Sequence, residues 1–204
     1  MRSAVIVAGG RSTRFGDADK AVADLAGVPM VRRVADRIAP VVDELVVNCR
    51  ADQQKAIETA LADFPLPLTF ALDPETDEGP MAGIGTGLAA CDGEYAAVVA
   101  CDMPFVDAAV VAYLFERAES EDVDAAVPKL EDGWYQTTQA VYRADAMAAA
   151  CEAALARGER KVLAPLEELE WVVVSEAEVA EHGNLGTFEN LNTREEFEAA
   201  REGF

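Results

Sequence analysis

A glycine turn beside a cluster of basic side chains is the first feature of this sequence that could do chemistry. The apolar run AVIVA at residues 4–8 leads directly into Gly9 and Gly10. Basic residues follow at Arg11, Arg14 and Lys20. Glycine removes side chains where the chain turns, so backbone N–H groups can approach an anion closely. On a chain with a formal net charge of −21, such a cluster predicts a polyphosphate ligand, although a strand followed by Gly-Gly can also be only a tight turn.

This glycine turn matches neither of two common phosphate-binding motifs. The stretch does not follow G-x-G-x-x-G, so the dinucleotide fingerprint is absent. Gly16 is followed by Asp17, which excludes the G-K-[ST] ending of a P-loop.

A second candidate is the carboxylate of Asp102, in the stretch VVACDMPFV at residues 98–106. Because it follows a buried strand, this carboxylate is poorly placed to pack in the core and well placed to bind a hard cation. Mg²⁺ is commonly held by one or two carboxylates together with substrate phosphates. The alternative is that Asp102 caps the next helix, but Asp107 is better placed for that. We therefore expect Asp102 to hold Mg²⁺.

Three further groups of residues are weaker candidates. Asn48 ends a strand, where its amide could contact a base or a ribose. Asn190 and Asn192 precede a helix that Thr193 and Glu196 would cap, so turn formation is their alternative role. The glycines of LDPETDEGPMAGIGTGLAAC, residues 72–91, allow close approach either of a ligand or of a helix to the sheet.

The elements that must position these residues alternate between β-branched runs and alanine-rich stretches. Strands are predicted at 3–8, 44–49, 68–72, 95–101, 124–128, 137–142 and 171–175. Helices are predicted at 29–38, 51–62, 80–91, 108–119 and 144–156, with a last one after Thr193. Loops are predicted at 73–80, 130–136 and 176–190, the last containing an exposed His182. This rhythm predicts one α/β domain over residues 1–204, Rossmann-like and three-layered, with a mostly parallel sheet and a ligand crevice at the carboxyl ends of its strands.

Composition limits the classes of function. With 38 acidic and 17 basic residues, the chain is typical of a protein working at high salt, the alternative being an ordinary acidic protein. Nucleic acid and membrane surfaces are unfavourable partners for this charge. We expect a cytoplasmic protein, because no signal peptide or membrane span is visible. The single histidine disfavours a Ser-His-Asp triad or a multi-histidine metal site, and Cys49, Cys91, Cys101 and Cys151 are predicted to be buried free thiols.

Several motifs together resemble the molybdenum cofactor guanylyltransferases of the nucleotidyltransferase superfamily. They are VAGGRSTRFGDADK, LAGVPMV, VVNCR, DEGPMAGIGTGL, ACDMPF and FENLNTREEF, in that order over nearly the whole chain. Val7 and Phe15 stand where the family signature has leucine and methionine, and one extra residue separates Gly16 from Lys20. Gln136 and Thr137 replace the His-Pro expected in a later segment.

The resemblance implies a nucleotidyltransferase fold and transfer of GMP from GTP to the terminal phosphate of molybdopterin, with release of pyrophosphate. Its nucleotide contacts fall on Ala8, Gly9, Gly10, Lys20, Asn48, Asp73 and Asp102. Asp102 would also hold Mg²⁺, Lys20, Arg14 and Asp102 would be catalytic, and Asn190 and Asn192 would face the second substrate. Transient contact with molybdoenzymes or other cofactor-biosynthesis proteins is also implied.

The alternatives within the superfamily are a molybdopterin cytidylyltransferase, an adenosylcobinamide-phosphate guanylyltransferase and a sugar-phosphate nucleotidyltransferase. The related cytidylyl enzymes tend to have A-A-G where this chain has Ala8-Gly9-Gly10, and D-Q-P where it has Asp102-Met103-Pro104. A nucleotide-binding protein without catalysis is an alternative of a different class.

Overall fold

A mixed sheet lies at the centre of the computed structural model, which describes residues 1–10, 19–73 and 79–201. The strands in these ranges are β1 (Arg2–Val7), β2 (Asp24–Leu25), β3 (Val28–Pro29), β4 (Glu44–Cys49), β5 (Leu68–Leu72), β6 (Tyr95–Ala100), β7 (Ala125–Lys129), β8 (Gln139–Arg143) and β9 (Trp171–Ser175). Seven of them form one sheet in the order β5-β4-β1-β6-β8-β7-β9, and β2 and β3 form a separate two-residue hairpin. Only β8 runs antiparallel to its neighbours in the large sheet. The mostly parallel α/β sheet is thereby confirmed.

Helices cover both faces of this sheet. They are α1 (Met30–Ile38), α2 (Gln54–Ala60), α3 (Pro80–Leu88), α4 (Ala108–Glu121), α5 (Ala144–Ala156), α6 (Leu163–Leu166), α7 (Glu176–His182) and α8 (Arg194–Arg201). Short 3₁₀ segments occupy Lys20–Val22, Ala39–Val41 and Leu185–Phe188. None of the helices in the described ranges is both long enough and apolar enough to cross a membrane.

Strand alternation divides the core into two halves. In β1, Ala4 and Ile6 face the core formed with α1, α2, α4 and α7, whereas Val5 faces the core formed with α3, α5 and α6. Successive side chains of a strand point to opposite faces, so a sheet covered on both sides needs a continuous apolar run. The three-layer arrangement follows from this pattern. A third, small cluster contains Leu25, Met30, Leu191 and Phe197, and fastens the C-terminal segment to the β2–β3 hairpin.

The predicted loop at 176–190 is wrong. Residues Glu176–His182 form α7, and Leu185–Phe188 form a 3₁₀ turn. Ser175 and Glu178 make a reciprocal capping box that starts α7, a sequence signal that the loop-like polarity of the segment concealed. His182 is therefore the last residue of a helix, and its exposed ring stacks on Tyr113 with 3.6 Å between ring centroids.

Smaller corrections concern one helix and two thiols. The helix predicted at 51–62 is shorter, Gln54–Ala60, because Gln53 closes a turn onto the Arg50 carbonyl. All of the cysteines are free, but only Cys49 and Cys151 are buried, whereas Cys91 and Cys101 are half-buried.

Candidate active site

Four parallel strands place the predicted site residues at one edge of the sheet. The neighbouring strands β5, β4, β1 and β6 are parallel, with Val7 opposite both Asn48 and Ala100. Parallel strands end on the same side, and such an edge is where open α/β sheets bind ligands. The residues that follow these strand ends include Gly9, Gly10, Asp73 and Asp102. The fold thus brings together segments that are far apart in the sequence.

Lys20 and Asp102 form the ion pair at the centre of this edge. The Lys20 Nζ atom donates to Asp102 Oδ2 at 2.8 Å, and the two side chains are only 7% and 21% exposed. Among the described residues, none donates a hydrogen bond to the second Asp102 oxygen, Oδ1. Asp102 does not cap a helix, since Asp107 caps α4 by accepting from the Ala109 N–H at 2.9 Å. Lys20 and Asp102 are 82 positions apart in the sequence, and the adjacency of β1 and β6 brings their segments together.

Gly9 lies against Asp73, whereas Gly10 has no close neighbour in the described part of the chain. A Cβ atom added at Gly9 would be 2.3 Å from Asp73 Oδ2, whereas one added at Gly10 would meet none of the described residues within 4 Å. No acceptor among the described residues takes a hydrogen bond from either glycine N–H. An anion is a suitable acceptor for such amides. Arg11 and Arg14 lie outside the described residues, so their predicted roles remain predictions.

Asn48 and Asp73 form a second polar pair beside the turn. The buried Asn48 Nδ2 donates to Asp73 Oδ1 at 2.6 Å and to the Ala71 carbonyl at 3.2 Å. Its Oδ1 is buried and accepts no hydrogen bond from the described residues. Gly83 leaves the room for this atom, because a Cβ there would be 2.4 Å from it. The pair fixes the Asp73 carboxylate at the side of Gly9.

Helix α3 uses its other glycines for packing. A Cβ at Gly87 would be 2.4 Å from Val5, and one at Gly85 would be 2.9 Å from the Cβ of Cys151 on α5. Close approach of α3 to the sheet and to α5 therefore explains these two positions. At the start of α3, Gly79 has a positive φ of 87° and Pro80 is the first helical residue.

The C-terminal segment contributes one of its two predicted asparagines. The Leu191 N–H donates to the Asp102 carbonyl at 3.0 Å, and this contact brings Asn192 Oδ1 to 3.4 Å from Lys20 Nζ. Asn190 is exposed and makes no contact with this pair in the described part of the chain. Thr193 and Glu196 form the predicted capping box, and the N–H groups of Thr193 and Asn192 lower the pKa of the Glu196 carboxyl.

Two thiols close to the site stay protonated. Burial, followed by the negative charge of Asp102, raises the pKa of the Cys101 thiol. Burial, followed by Asp73, raises the pKa of Cys49 to about 12. A neutral thiol is a poor nucleophile, so neither cysteine is suited to covalent chemistry here.

Sequence reasoning missed Arg50 and Gln53, which contact the turn from the end of β4. Arg50 Nη1 donates to the Gly9 and Gly10 carbonyls at 2.8 and 3.0 Å. Gln53 Nε2 donates to the Ala8 carbonyl at 3.0 Å and to Asp19 Oδ2 at 2.8 Å. The signal available in the sequence was the stretch RADQ, residues 50–53, directly after a buried strand, but this stretch does not indicate which strand lies beside it.

Comparison with known proteins shows the family to which the chain belongs. A family described as the MobA-like NTP transferase domain matches residues 4–171. A relative from Natronomonas pharaonis, named probable molybdenum cofactor guanylyltransferase, is 52% identical over 98% of this chain and 97% of its own. One of the same name from Haloferax mediterranei is 37% identical over 97% and 92%.

A solved structure has the same fold. Molybdopterin-guanine dinucleotide biosynthesis protein A from Archaeoglobus fulgidus superimposes with a TM-score of 0.80, at 29% identity, over 99% of this chain and 97% of that chain. The resemblance inferred from the motifs is confirmed. The chain belongs to the MobA-like NTP transferase family, among the molybdenum cofactor guanylyltransferases.

Proposed function

We propose that this protein transfers GMP from GTP to the terminal phosphate of molybdopterin, forming molybdopterin guanine dinucleotide and releasing pyrophosphate. The observation that carries the proposal is the Lys20–Asp102 pair, 2.8 Å apart, at the sheet edge that also presents the bare Gly9–Gly10 turn. The names of the relatives from Natronomonas and Haloferax support the same activity.

The bond changes need no general base. An oxygen of the terminal phosphate of molybdopterin attacks the α-phosphorus of GTP, and the bond from that phosphorus to the oxygen bridging to the β-phosphate breaks. Pyrophosphate leaves with the bonding electrons. The attacking phosphate is already ionised at neutral pH, so positioning and charge neutralisation dominate catalysis. A chain with one histidine can therefore supply what the reaction requires.

Different residues of the protein would bind the triphosphate, the nucleoside and the second substrate. The Gly9 and Gly10 amides and the Lys20 ammonium would bind the triphosphate and stabilise the leaving pyrophosphate, together with Arg14. Asp73, oriented by Asn48 at 2.6 Å, offers acceptor oxygens to donors of the nucleoside, such as guanine N–H groups. Asn192, 3.4 Å from Lys20 Nζ, would meet the second substrate, and Asn190 is proposed on the resemblance alone.

Asp102 would hold Mg²⁺. The described residues contain no group of three or more metal-ligating side chains, so they do not form a metal cage by themselves. A substrate-bound Mg²⁺ does fit, because it needs one or two carboxylates plus phosphate oxygens, and Asp102 Oδ1 accepts no hydrogen bond from the described part of the chain. The ion would supply charge neutralisation at the phosphate oxygens.

Side-by-side turnover with GTP, CTP and ATP tests the proposal. Molybdopterin, MgCl₂ and each nucleotide are incubated with the protein in molar KCl, and pyrophosphate and the dinucleotide product are both quantified. We expect product with GTP and little with the other two. Faster turnover with CTP would refute guanylyl transfer, and binding without any pyrophosphate release would favour a non-catalytic protein.

A further inference from the structure

We propose that Arg50 and Gln53 are positioning residues that aim the Gly9 and Gly10 amides at the triphosphate and hold Lys20 beside them. The inference rests on the proposed function, because it takes the triphosphate as the ligand. Neither residue touches the reacting atoms. Both act through the backbone of the turn, and each contacts a different peptide unit of it.

Gln53 is a buried connector with its amide fully used. Its side chain is 3% exposed. Nε2 donates both hydrogens, to the Ala8 carbonyl at 3.0 Å and to Asp19 Oδ2 at 2.8 Å, and Oε1 accepts from the Arg50 N–H at 3.0 Å. One amide thus ties together the end of β1, the end of β4 and the segment before Lys20. No other residue type of this size offers two donors and an acceptor in that arrangement.

Because the peptide group is planar, these contacts to carbonyl groups determine the direction in which the following N–H groups point. In a trans peptide the C=O of one residue and the N–H of the next point in opposite directions, and no described peptide bond is cis. Gln53 holds the Ala8 carbonyl, so the Gly9 N–H must point away from Gln53. Arg50 holds the Gly9 carbonyl at 2.8 Å, so the Gly10 N–H must point away from Arg50. The two successive amide N–H groups are thereby turned away from the side chains of Gln53 and Arg50.

Asp19 extends the same connection to Lys20. Its Oδ1 accepts from the Ala21 N–H at 3.0 Å and so starts the 3₁₀ segment Lys20–Val22. Its Oδ2 is the atom that Gln53 holds. Gln53 therefore sets the position of the Lys20 backbone relative to the glycine amides, while Asp102 sets the position of the Lys20 ammonium.

The guanidinium of Arg50 also pairs with a carboxylate. Its Nε donates to Asp52 Oδ1 at 3.1 Å, and the Arg50 side chain is 15% exposed. Because its guanidinium donates hydrogen bonds to two carbonyls and a carboxylate, Arg50 acts on the conformation of the glycine segment. A residue that only stabilised the fold would not need to donate to the carbonyls of two successive glycines.

The test compares ligands that do and do not carry phosphates. Gln53→Glu replaces the Nε2 donor with an oxygen that faces the Ala8 carbonyl and the Asp19 carboxylate. Dissociation constants for GTP, pyrophosphate and guanosine are measured by calorimetry in MgCl₂ and molar KCl. We expect the variant to bind GTP and pyrophosphate about tenfold or more weakly, with guanosine changed less than about twofold. Gln54→Glu, the same change at the neighbouring half-buried residue, is the control and should leave all three constants unchanged.

Arg50 gives an independent pair of variants if Gln53→Glu does not fold. Arg50→Met removes both carbonyl contacts and should show the same phosphate-selective loss, and Arg50→Lys should recover part of it with its single ammonium. Equal losses for guanosine and GTP, or no loss in either series, would overturn the positioning role. A wild-type protein that binds neither GTP nor pyrophosphate would refute the proposed function and this inference together.

Discussion

Replacement of Gly9 by alanine should weaken nucleotide binding through Asp73. The added Cβ would lie 2.3 Å from Asp73 Oδ2, inside the 3.0 Å that real Cβ contacts keep, and 3.5 Å from Asn48 Oδ1. The carboxylate must therefore retreat by roughly 0.7 Å. Gly10→Ala is the neighbouring control for folding, because its Cβ would meet none of the described residues within 4 Å.

The contact that the retreat would strain is the Asn48–Asp73 hydrogen bond of 2.6 Å. Hydrogen bonds to charged groups are worth about 1.5–3 kcal/mol. Asp73 is half-buried, so water compensates part of that loss and the lower end applies. We expect a loss in GTP affinity of about tenfold, corresponding to ~1.4 kcal/mol.

A double-mutant cycle isolates the cause. Dissociation constants for GTP are measured by calorimetry for wild type, Gly9→Ala, Asp73→Ala and the double variant. If the methyl group acts by displacing the carboxylate, Gly9→Ala should cost little once Asp73 is removed, giving a coupling energy near the single-variant loss. Thermal midpoints of Gly9→Ala and Gly10→Ala provide the check on folding.

An equal loss in the presence and absence of Asp73 would refute this reasoning. It would mean that the methyl group blocks the nucleotide directly. Unchanged GTP affinity of Gly9→Ala in the wild-type background would show that Asp73 can move without consequence.

Three further predictions follow from the same residues and the surface charge. Asp102→Asn should abolish Mg²⁺-dependent pyrophosphate release, measured in a coupled assay, because it removes the carboxylate that pairs with Lys20 and is proposed to hold the ion; retained release would contradict the metal role. The thermal midpoint and activity should rise from low salt to molar KCl, because screening relieves the self-repulsion of a formal charge of −21, and equal midpoints would count against this. Hydrogen bonds from Ser175, followed by Arg117, lower the pKa of Glu178. Wild type should therefore be more stable than Glu178→Gln, with the full difference in stability present above the unfolded pKa of about 4.3. This difference should disappear as the pH falls through the lower pKa of the folded state. Thermal midpoints of both proteins against pH measure it, and a difference that does not change with pH would contradict the prediction.

Local patterns in the sequence were sufficient for most strands and for several helix caps. The apolar run 44–49 forms a strand over the predicted residues, since burial on both faces requires continuous apolar character. The run 68–72 also forms a strand over the predicted residues, at the edge of the sheet. Asp107 and Thr193 cap helices as expected, because a cap depends only on residues within one turn. The capping box of Ser175 and Glu178 is equally local and could have been found, had the polarity of 176–190 not favoured a loop.

Only the tertiary structure decided which polar residues meet. Lys20 contacts Asp102 across 82 residues, and Gln53 contacts the Ala8 carbonyl across 45. These contacts depend on the order of strands, with β1 between β4 and β6, and the periodicity of each segment carries no information about its neighbour in the sheet. The sequence by itself determined that a bare glycine turn and a carboxylate would follow buried strands. The pairing of parallel strands decided that they lie at the same end of the sheet, and that Arg50 and Gln53 contact the backbone of the glycine segment.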